Sequence, residues 1–373
     1  MARFVKRGKS WQYEISHKTD DGQFKKIRKS GFKTKSDAKA AATDLEYELA
    51  RGYKVNSKET TLYDYFESWM KLYKKNTVSE VTYRRYNTTL ATIKNLMPFV
   101  TLQELSKNSY QKYLNKYADG HAKDTVKRFH MHVRACVLNA IDEKVLLNDF
   151  TRNALIHGSV QQKKKEDKFL QFDELKKVIK YAEKDLNPQY ASRYMIIVGA
   201  NTGMRFSELL GLTWNDIDFD NKTITINKTW QYQTGGGFGP TKNEASIRTI
   251  DTDGHTLELL KKYKIDQDAL GLDNEFNLIF YNELNGPISN NAVNKSFKNI
   301  QTQVGINNPI TFHGLRHTHA SLLLYKKVDI MVLSERLGHS DITVTSSVYA
   351  HVINELRKQN KERIVSVIET IYE

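Results

Sequence analysis

The stretch from Thr311 to His351 holds the densest set of side chains that can do chemistry. T-F-H-G-L-R-H-T-H-A sets His313 and Arg316 three residues apart, on one face if the segment is helical; L-G-H-S-D adds His339, and T-S-S-V-Y-A-H adds Tyr349. Upstream, T-G-M-R-F-S-E supplies Arg205 at the start of a helix, where backbone N–H groups and a guanidinium can share an anion. Two arginines can clamp the non-bridging oxygens of a phosphodiester, whose charge grows in a pentacoordinate transition state. Tyr349 is a candidate nucleophile, and a phenol with an intrinsic pKa near ~10 needs a base or strong local positive charge to attack. Lys242, at the end of the loop T-G-G-G-F-G-P-T-K, can protonate a leaving 5′ oxygen. Any one of these residues has an ordinary explanation as a surface ion pair or a packed side chain. Their occurrence together, in this order, carries the reading.

Metal-assisted alternatives find little support. Cys136 is the only cysteine, so neither an intrachain disulfide nor a cysteine-based zinc site can form. Asp216, Asp218 and Asp220 imitate the start of a calcium loop, but Asn221 stands where that loop needs Gly and Asn227 where it needs Glu. They read as a strand end and turn. The glycines at 235–239 lack the Gly-Lys-Ser/Thr ending of a phosphate-binding loop and read as a hairpin tip. No acidic set signals a two-metal site, and neither a metal nor a cofactor is expected.

The elements that must position these groups follow from the pattern along the 373 residues, a length that implies two or three domains. No apolar run approaches the roughly 18 residues of a membrane span, and the basic N-terminus lacks the apolar core of a secretory signal. Alternation at Phe4-Val5, Trp11 to Ile15 and Phe24 to Ile27, with Asp20-Asp21-Gly22 as a turn, predicts two or three short strands. Thr34 with Asp37 forms a capping box before the helical spacing of Ala38, Ala41, Ala42, Leu45 and Leu49. Thr61 with Asp64 forms another, before four apolar stripes: Leu62 to Tyr73, Tyr83 to Ile93, Tyr110 to Tyr117 and Val126 to Ile141. Four such helices make a bundle, and the aromatic stripes read as core rather than as a base-stacking surface.

Beyond a polar linker at 159–168, helical segments surround a strand at Thr223–Ile226 and its returning partner near Arg248–Ile250. The predicted fold class is mainly α with small β-sheets. It comprises residues 1–56 as a sheet with one helix, 60–158 as a helical bundle, and 169–373 as a mixed α/β unit.

Charge points to the partner. The formal net charge is +14, and the first 57 residues hold 14 Lys and Arg against 7 Asp and Glu, while residues 61–160 hold 15 against 9. The remainder is nearly neutral, so the first 160 residues are the part suited to gripping a polyanion, although a solvated surface would share this composition. Lys25, Lys26 and Arg28 on the predicted sheet, and Lys123, Lys127, Arg128 and Arg134 on the fourth helix of the bundle, are the candidate DNA contacts.

Taken together, the chain resembles the tyrosine site-specific recombinases, specifically phage and mobile-element integrases with an extra N-terminal arm-binding domain. T-G-M-R-F-S-E-L-L-G-L matches the first family box at Arg205 with its acidic neighbour Glu208. P-T-K-N-E-A-S-I-R-T-I matches the hairpin that carries the family's lysine, here Lys242, with Lys228 also nearby. H-G-L-R-H-T-H-A matches the second box at His313 and Arg316, and L-G-H-S-D-I-T-V-T-S-S-V-Y the last, at His339 and Tyr349.

The resemblance implies site-specific recombination through a 3′-phosphotyrosyl intermediate, without metal or ATP, that integrates and excises an element. Arg205 and Arg316 would stabilise the transition state, His313 and His339 would assist in proton transfer and phosphate binding, Glu208 would orient the site, and Lys242 would act as general acid. It also implies arm-type and core attachment sites on double-stranded DNA, a tetramer on that DNA, accessory DNA-bending or excision factors, and a place in the bacterial cytoplasm on the nucleoid. The segment after Tyr349, with Val352, Ile353, Leu356 and Ile364, Val365, Val367 and Ile368, is expected to pack on a neighbouring protomer. A type IB topoisomerase and a non-catalytic DNA-binding regulator are the competing assignments. The first would not need the N-terminal domain; the second should have lost Arg205, Arg316 or Tyr349.

Overall fold

The computed structural model describes residues 2–18, 23–50, 60–161, 169–271, 274–282 and 286–349. The turn at Asp20 to Gly22, most of the linker and the segment after Tyr349 therefore lie outside the described residues. The chain divides into two compact units, Met1–Gln162 and Lys163–Glu373, taken separately below.

The first unit opens with an antiparallel sheet of β1 (Arg3–Arg7), β2 (Ser10–Lys18) and β3 (Phe24–Phe32) in sequence order. Period-two alternation puts Tyr13 and Ile15 on one face, where they are buried against Ala42 and Leu45 of α1 (Lys35–Ala50). The capping box forms as read: Thr34 Oγ1 accepts the Asp37 N–H, and Asp37 Oδ2 accepts the Thr34 N–H, both at 3.1 Å. Four further helices follow, α2 (Leu62–Tyr73), α3 (Glu80–Leu96), α4 (Lys107–Ala118) and α5 (Lys123–Asp142). Their stripes meet in one core containing Phe66, Trp69, Ile93, Tyr110, Leu114, Phe129 and Val133. The aromatic residues on these faces are thus packing groups. Tyr73 departs from the expected core: it is exposed, and its hydroxyl donates to Glu143.

The second unit is organised around α7 (Ser192–Thr202), whose residues Tyr194 to Ala200 are all buried. A helix apolar on every side must be covered on every side. Against it pack α6 (Phe172–Glu183), α8 (Phe206–Leu210), α9 (Gly254–Leu270), α10 (Asn290–Gln303) and α11 (Phe312–Tyr325). Between α8 and α9 lies a sheet of β4 (Ile217–Asp218), β5 (Thr223–Ile226) and β8 (Arg248–Asp251), with Ile224 opposite Ile250. Within its β5–β8 connection, β6 (Thr229–Trp230) and β7 (Phe238–Gly239) form a second short hairpin with the glycines at its tip. Asp218 Oδ1 accepts the N–H groups of Asp220 and Asn221, so the apparent calcium loop is a tight turn.

Three pieces go beyond the expected elements: the β6–β7 pairing below the glycine tip, the two-residue pair β9 (Tyr281–Asn282) with β10 (Gly286–Pro287), and, after α12 (Ile330–Leu337), a further helix α13 (Ile342–Val348). The T-V-T-S-S-V sequence of α13 has poor helix propensity. Asp341 starts it by accepting the Thr343 N–H at 2.7 Å. The overall class is α+β, dominated by helices.

Candidate active site

Glu208 lies at the base of the site. Arg205 is the N-cap of α8, and the three-residue spacing to Glu208 brings its backbone N–H to Glu208 Oε2 at 2.9 Å and its Nη1 to Oε1 at 2.6 Å. Arg248 of β8 reaches the same carboxylate, Nη2 to Oε2 at 3.0 Å. Glu208 is only 1% exposed. Burial alone would raise its pKa, but the guanidinium groups of Arg248 and Arg205 outweigh it and hold the carboxyl below its usual range. One buried anion thus sets two cations in place.

Backbone carbonyls at helix ends complete the mounting. Arg205 Nη2 donates to Gly338 O at 3.1 Å, and Arg316 Nη2 to Leu337 O at 2.6 Å, both where α12 ends. Arg316 Nη1 donates to Gly203 O at 2.9 Å, at the end of α7. The C-terminus of a helix carries partial negative charge and unpaired carbonyls, so these ends suit a guanidinium. Gly203 and Gly338 are both left-handed C-caps, with φ of 67° and 66°.

Burial and the neighbouring Arg205 push the Arg316 pKa down, yet a guanidinium stays charged at neutral pH. Of its five donors, three are used by Gly203, Leu337 and His339 among the described residues. Nε–H and one Nη1 proton are left to donate to an anion.

His339 accepts from Arg316, Nη2 to Nε2 at 2.9 Å, and its Nδ1 lies 2.7 Å from Thr345 Oγ1 on α13. Because arginine only donates, Nε2 must be the lone-pair nitrogen and Nδ1 carries the proton. Burial, then Arg316 and Arg205, lower this imidazole to about 4, so it is neutral near pH 7. His313 sits on α11 one turn before Arg316, with its ring open to solvent despite crowding protein atoms. Partial desolvation, followed by Arg316 and Arg205, lowers its pKa too.

Tyr349 is the C-cap of α13 and 2% exposed, among Ala320, Leu324, Leu333 and Leu337. Burial raises its phenol to about 12, while Arg316 pulls the other way. Its Oη lies 3.1 Å from His317 Nδ1. Lys242 is exposed after the β6–β7 hairpin, in contrast to Lys228, whose ammonium is held by Asp216 Oδ1 at 2.6 Å.

The structure therefore brings two bonded sets together at the end of α12, Arg205 with Glu208 and Arg316 with His339, with Tyr349 close enough for Arg316 to bear on its charge. Sequence reasoning missed Arg248, Ser246 and His317. Ser246 Oγ accepts from Arg205 Nη1 at 3.3 Å. Arg248 lay inside the matched S-I-R-T-I segment without a partner to mark it. His317 carried a usable signal: it stands four residues after His313, on the same face of α11.

The DNA-contact candidates separate by environment. Lys26 and Arg28 lie on the sheet face away from α1 and pair with Glu14 at 3.0 and 2.6 Å, whereas Lys25 lies opposite His17 on the α1 side. Lys123, Lys127 and Arg128 are exposed on α5. Arg134 is half-buried and bonded to Asp149 at 2.7 Å and Thr151 at 3.3 Å, within the bundle.

Comparison with known proteins gives the family and the fold. Residues 168–355 match the model of the phage integrase family, residues 3–49 an arm DNA-binding domain, and residues 61–156 a phage integrase SAM-like domain. The chain is 28% identical to a XerC-like tyrosine recombinase of Caldanaerobacter subterraneus, covering 94% of each. It is 26% identical to the integrase of Staphylococcus phage L54a, covering 83% of this chain and 94% of that one. The fold is shared with the Tn1549 transposon integrase in complex with transposon right end DNA (TM-score 0.69, 17% identity, covering 82% of this chain and all of the other). It is also shared with a lambda integrase tetramer bound to a Holliday junction (TM-score 0.60, 21% identity, covering 90% and 91%).

Proposed function

The chain belongs to the phage integrase family, a tyrosine recombinase with an N-terminal arm-binding domain, and from that premise we propose that Tyr349 is its nucleophile and Arg205 and Arg316 its phosphate clamp. The enzyme breaks and rejoins DNA in site-specific recombination of a phage or mobile element. The supporting observation is that both guanidinium groups are fixed at the end of α12, Arg205 by Gly338 O and Arg316 by Leu337 O. Their remaining donors meet a scissile phosphate as its charge grows, which is the form of stabilisation that accelerates phosphoryl transfer. Tyr349 Oη attacks the phosphorus, a 3′-phosphotyrosyl bond forms, and the 5′ oxygen leaves with a proton from Lys242. Lys242 suits this role better than Lys228 because its ammonium is exposed while that of Lys228 is paired with Asp216. Neutral His313 hydrogen-bonds the phosphate, His339 braces Arg316, and Glu208 holds Arg205 and Arg248.

Residues 1–56 are assigned to arm-type sites, 60–158 to the core site and 169–373 to catalysis, joined by the 159–168 linker. Two DNA-binding heads on one chain raise the effective concentration of each for its site. We assign the working assembly as a tetramer on double-stranded DNA in the bacterial cytoplasm, with the segment after Tyr349 joining protomers and accessory bending or excision factors setting direction.

The test is a nicked suicide duplex of the attachment core, taken from the junction of the element that encodes the chain. Wild-type protein should give a covalent adduct that survives denaturation, and Tyr349→Phe should give none. An unreactive wild type on a verified site would remove the catalytic assignment. Recombination between two sites, rather than relaxation of one plasmid, separates this activity from that of a topoisomerase.

A further inference from the structure

Tyr349 must lose a proton to attack, and its surroundings make this hard. The phenol is buried, so bulk water has little access as a base. Arg316, the cation that bears on its charge, lowers its pKa but cannot accept a proton. His339 is committed on both nitrogens, to Arg316 and to Thr345.

Among the described residues the hydrogen-bond partner of the nucleophilic oxygen is His317, with Nδ1 3.1 Å from Tyr349 Oη and the two rings inclined at 60°. That distance lies within the reach required of a general base. The site of His317 on α11 is fixed: it follows Arg316 directly and its ring meets that of His313 edge-on, with centroids 5.1 Å apart. A single rigid helix thereby presents the phosphate-binding arginine and, at the next residue, an imidazole to the nucleophile.

Resting on the reading of Tyr349 as nucleophile, we propose that His317 is a further catalytic residue, the general base that takes the Tyr349 proton as the phosphotyrosyl bond forms. The phenol proton passes from Oη to Nδ1 while the Oη–P bond forms. The bond from phosphorus to the 5′ oxygen breaks, and that oxygen receives its proton from Lys242. His317 is left as an imidazolium. In rejoining, the incoming 5′-hydroxyl gives its proton back to Lys242 and the departing Tyr349 recovers its own from His317, so the cycle consumes no outside acid, base or oxidant. To act as base, His317 must turn the Nδ1 lone pair to Tyr349 Oη in the resting state, with the remaining ring proton on Nε2.

The test compares full-length wild type, His317→Ala and His317→Asn in single-turnover cleavage of the suicide duplex. Asn places an amide atom where Nδ1 lies, so it can keep a hydrogen bond but cannot take the proton. Both variants should form adduct about 10²- to 10⁴-fold more slowly, with unchanged DNA binding and an unfolding midpoint near that of wild type for His317→Asn. A second duplex carries sulfur in place of the bridging 5′ oxygen. A thiolate leaves without protonation, so it bypasses defects on the leaving-group side, and the His317 variants should stay slow on it. Wild-type rates in His317→Asn would reduce the contact to a hydrogen bond and overturn the proposal. So would recovery on the sulfur duplex, and so would faster cleavage by His317→Ala, which would make His317 a latch on the resting tyrosine. Because wild type and Tyr349→Phe are run alongside, failure of the nucleophile assignment shows separately, as no adduct in wild type.

Discussion

A carboxylate at 1% exposure with a guanidinium on each side places Glu208 among the least replaceable residues of the catalytic unit. It satisfies two arginines, and its oxygens also accept the Arg205 backbone N–H that opens α8. Glu208→Gln keeps the shape and some of the hydrogen bonds but leaves two cations facing a neutral amide. Breaking a buried ion pair from one side costs about 3–5 kcal/mol when the other charge remains uncompensated. The outer, solvent-facing part of Arg205 reduces that figure, so a loss of roughly 2–3 kcal/mol is expected for Glu208→Gln. Denaturant unfolding gives the number. Adduct formation should fall as well, since Arg205 loses one of the contacts that aim it. A variant within 0.5 kcal/mol of wild type, on the scale of an ordinary surface change, would show that helix-end carbonyls alone hold the arginines.

At the scale of elements, the ends of α7 and α12 matter more than their lengths, because their last carbonyls are what Arg316 and Arg205 grip. Gly338 has a φ of 66°, and a Cβ there would stand 2.8 Å from Arg248 Nη1 and 3.0 Å from the Ala245 carbonyl oxygen. Gly338→Ala therefore meets both a disfavoured backbone conformation and a backbone contact that cannot swing away. The expected loss is about 1–3 kcal/mol, measured by thermal or denaturant unfolding, together with slower cleavage because the Gly338 carbonyl shifts under Arg205. Normal stability with normal cleavage would show that the cap tolerates a side chain.

These ends also mark where the sequence was legible and where it was not. T-G-M-R and L-G-H announced a stop, a glycine and a functional residue in order, and the apolar stripes of α2 to α5 announced their buried faces. The partner of Arg248 was not legible because Glu208 lies forty residues away across a sheet. α13 was not legible because β-branched and hydroxyl residues argue against a helix; it is held by the Asp341 cap and by the buried Thr345 bonded to His339. His317 was overlooked because it sat inside a box whose two other members already explained the segment.

Over the whole molecule, charge is arranged by unit: the basic excess lies in the first 160 residues, and the catalytic unit is nearly neutral. On the proposed assignment the first unit is the electrostatic grip and the second does the chemistry, so affinity and catalysis should respond to different mutations. Neutralising a lysine or arginine that contacts phosphate lowers the slope of log K against log salt by about 0.9 per contact. The four candidates on α5 do not share one environment. Lys123, Lys127 and Arg128 are exposed, while Arg134 is bonded to Asp149 and Thr151 inside the bundle.

The triple variant Lys123→Ala, Lys127→Ala, Arg128→Ala should therefore lower the salt slope for core-site DNA by about 2–3 while leaving the unfolding midpoint within a degree or two. Arg134→Ala should do the opposite, lowering stability by breaking a half-buried pair and leaving the slope within a few tenths. Binding isotherms at four or five salt concentrations, with unfolding curves on the same samples, separate the two effects. If Arg134→Ala alone changes the slope, the DNA-facing side of the bundle is the side on which Asp149 lies, and the exposed lysines of α5 serve solubility.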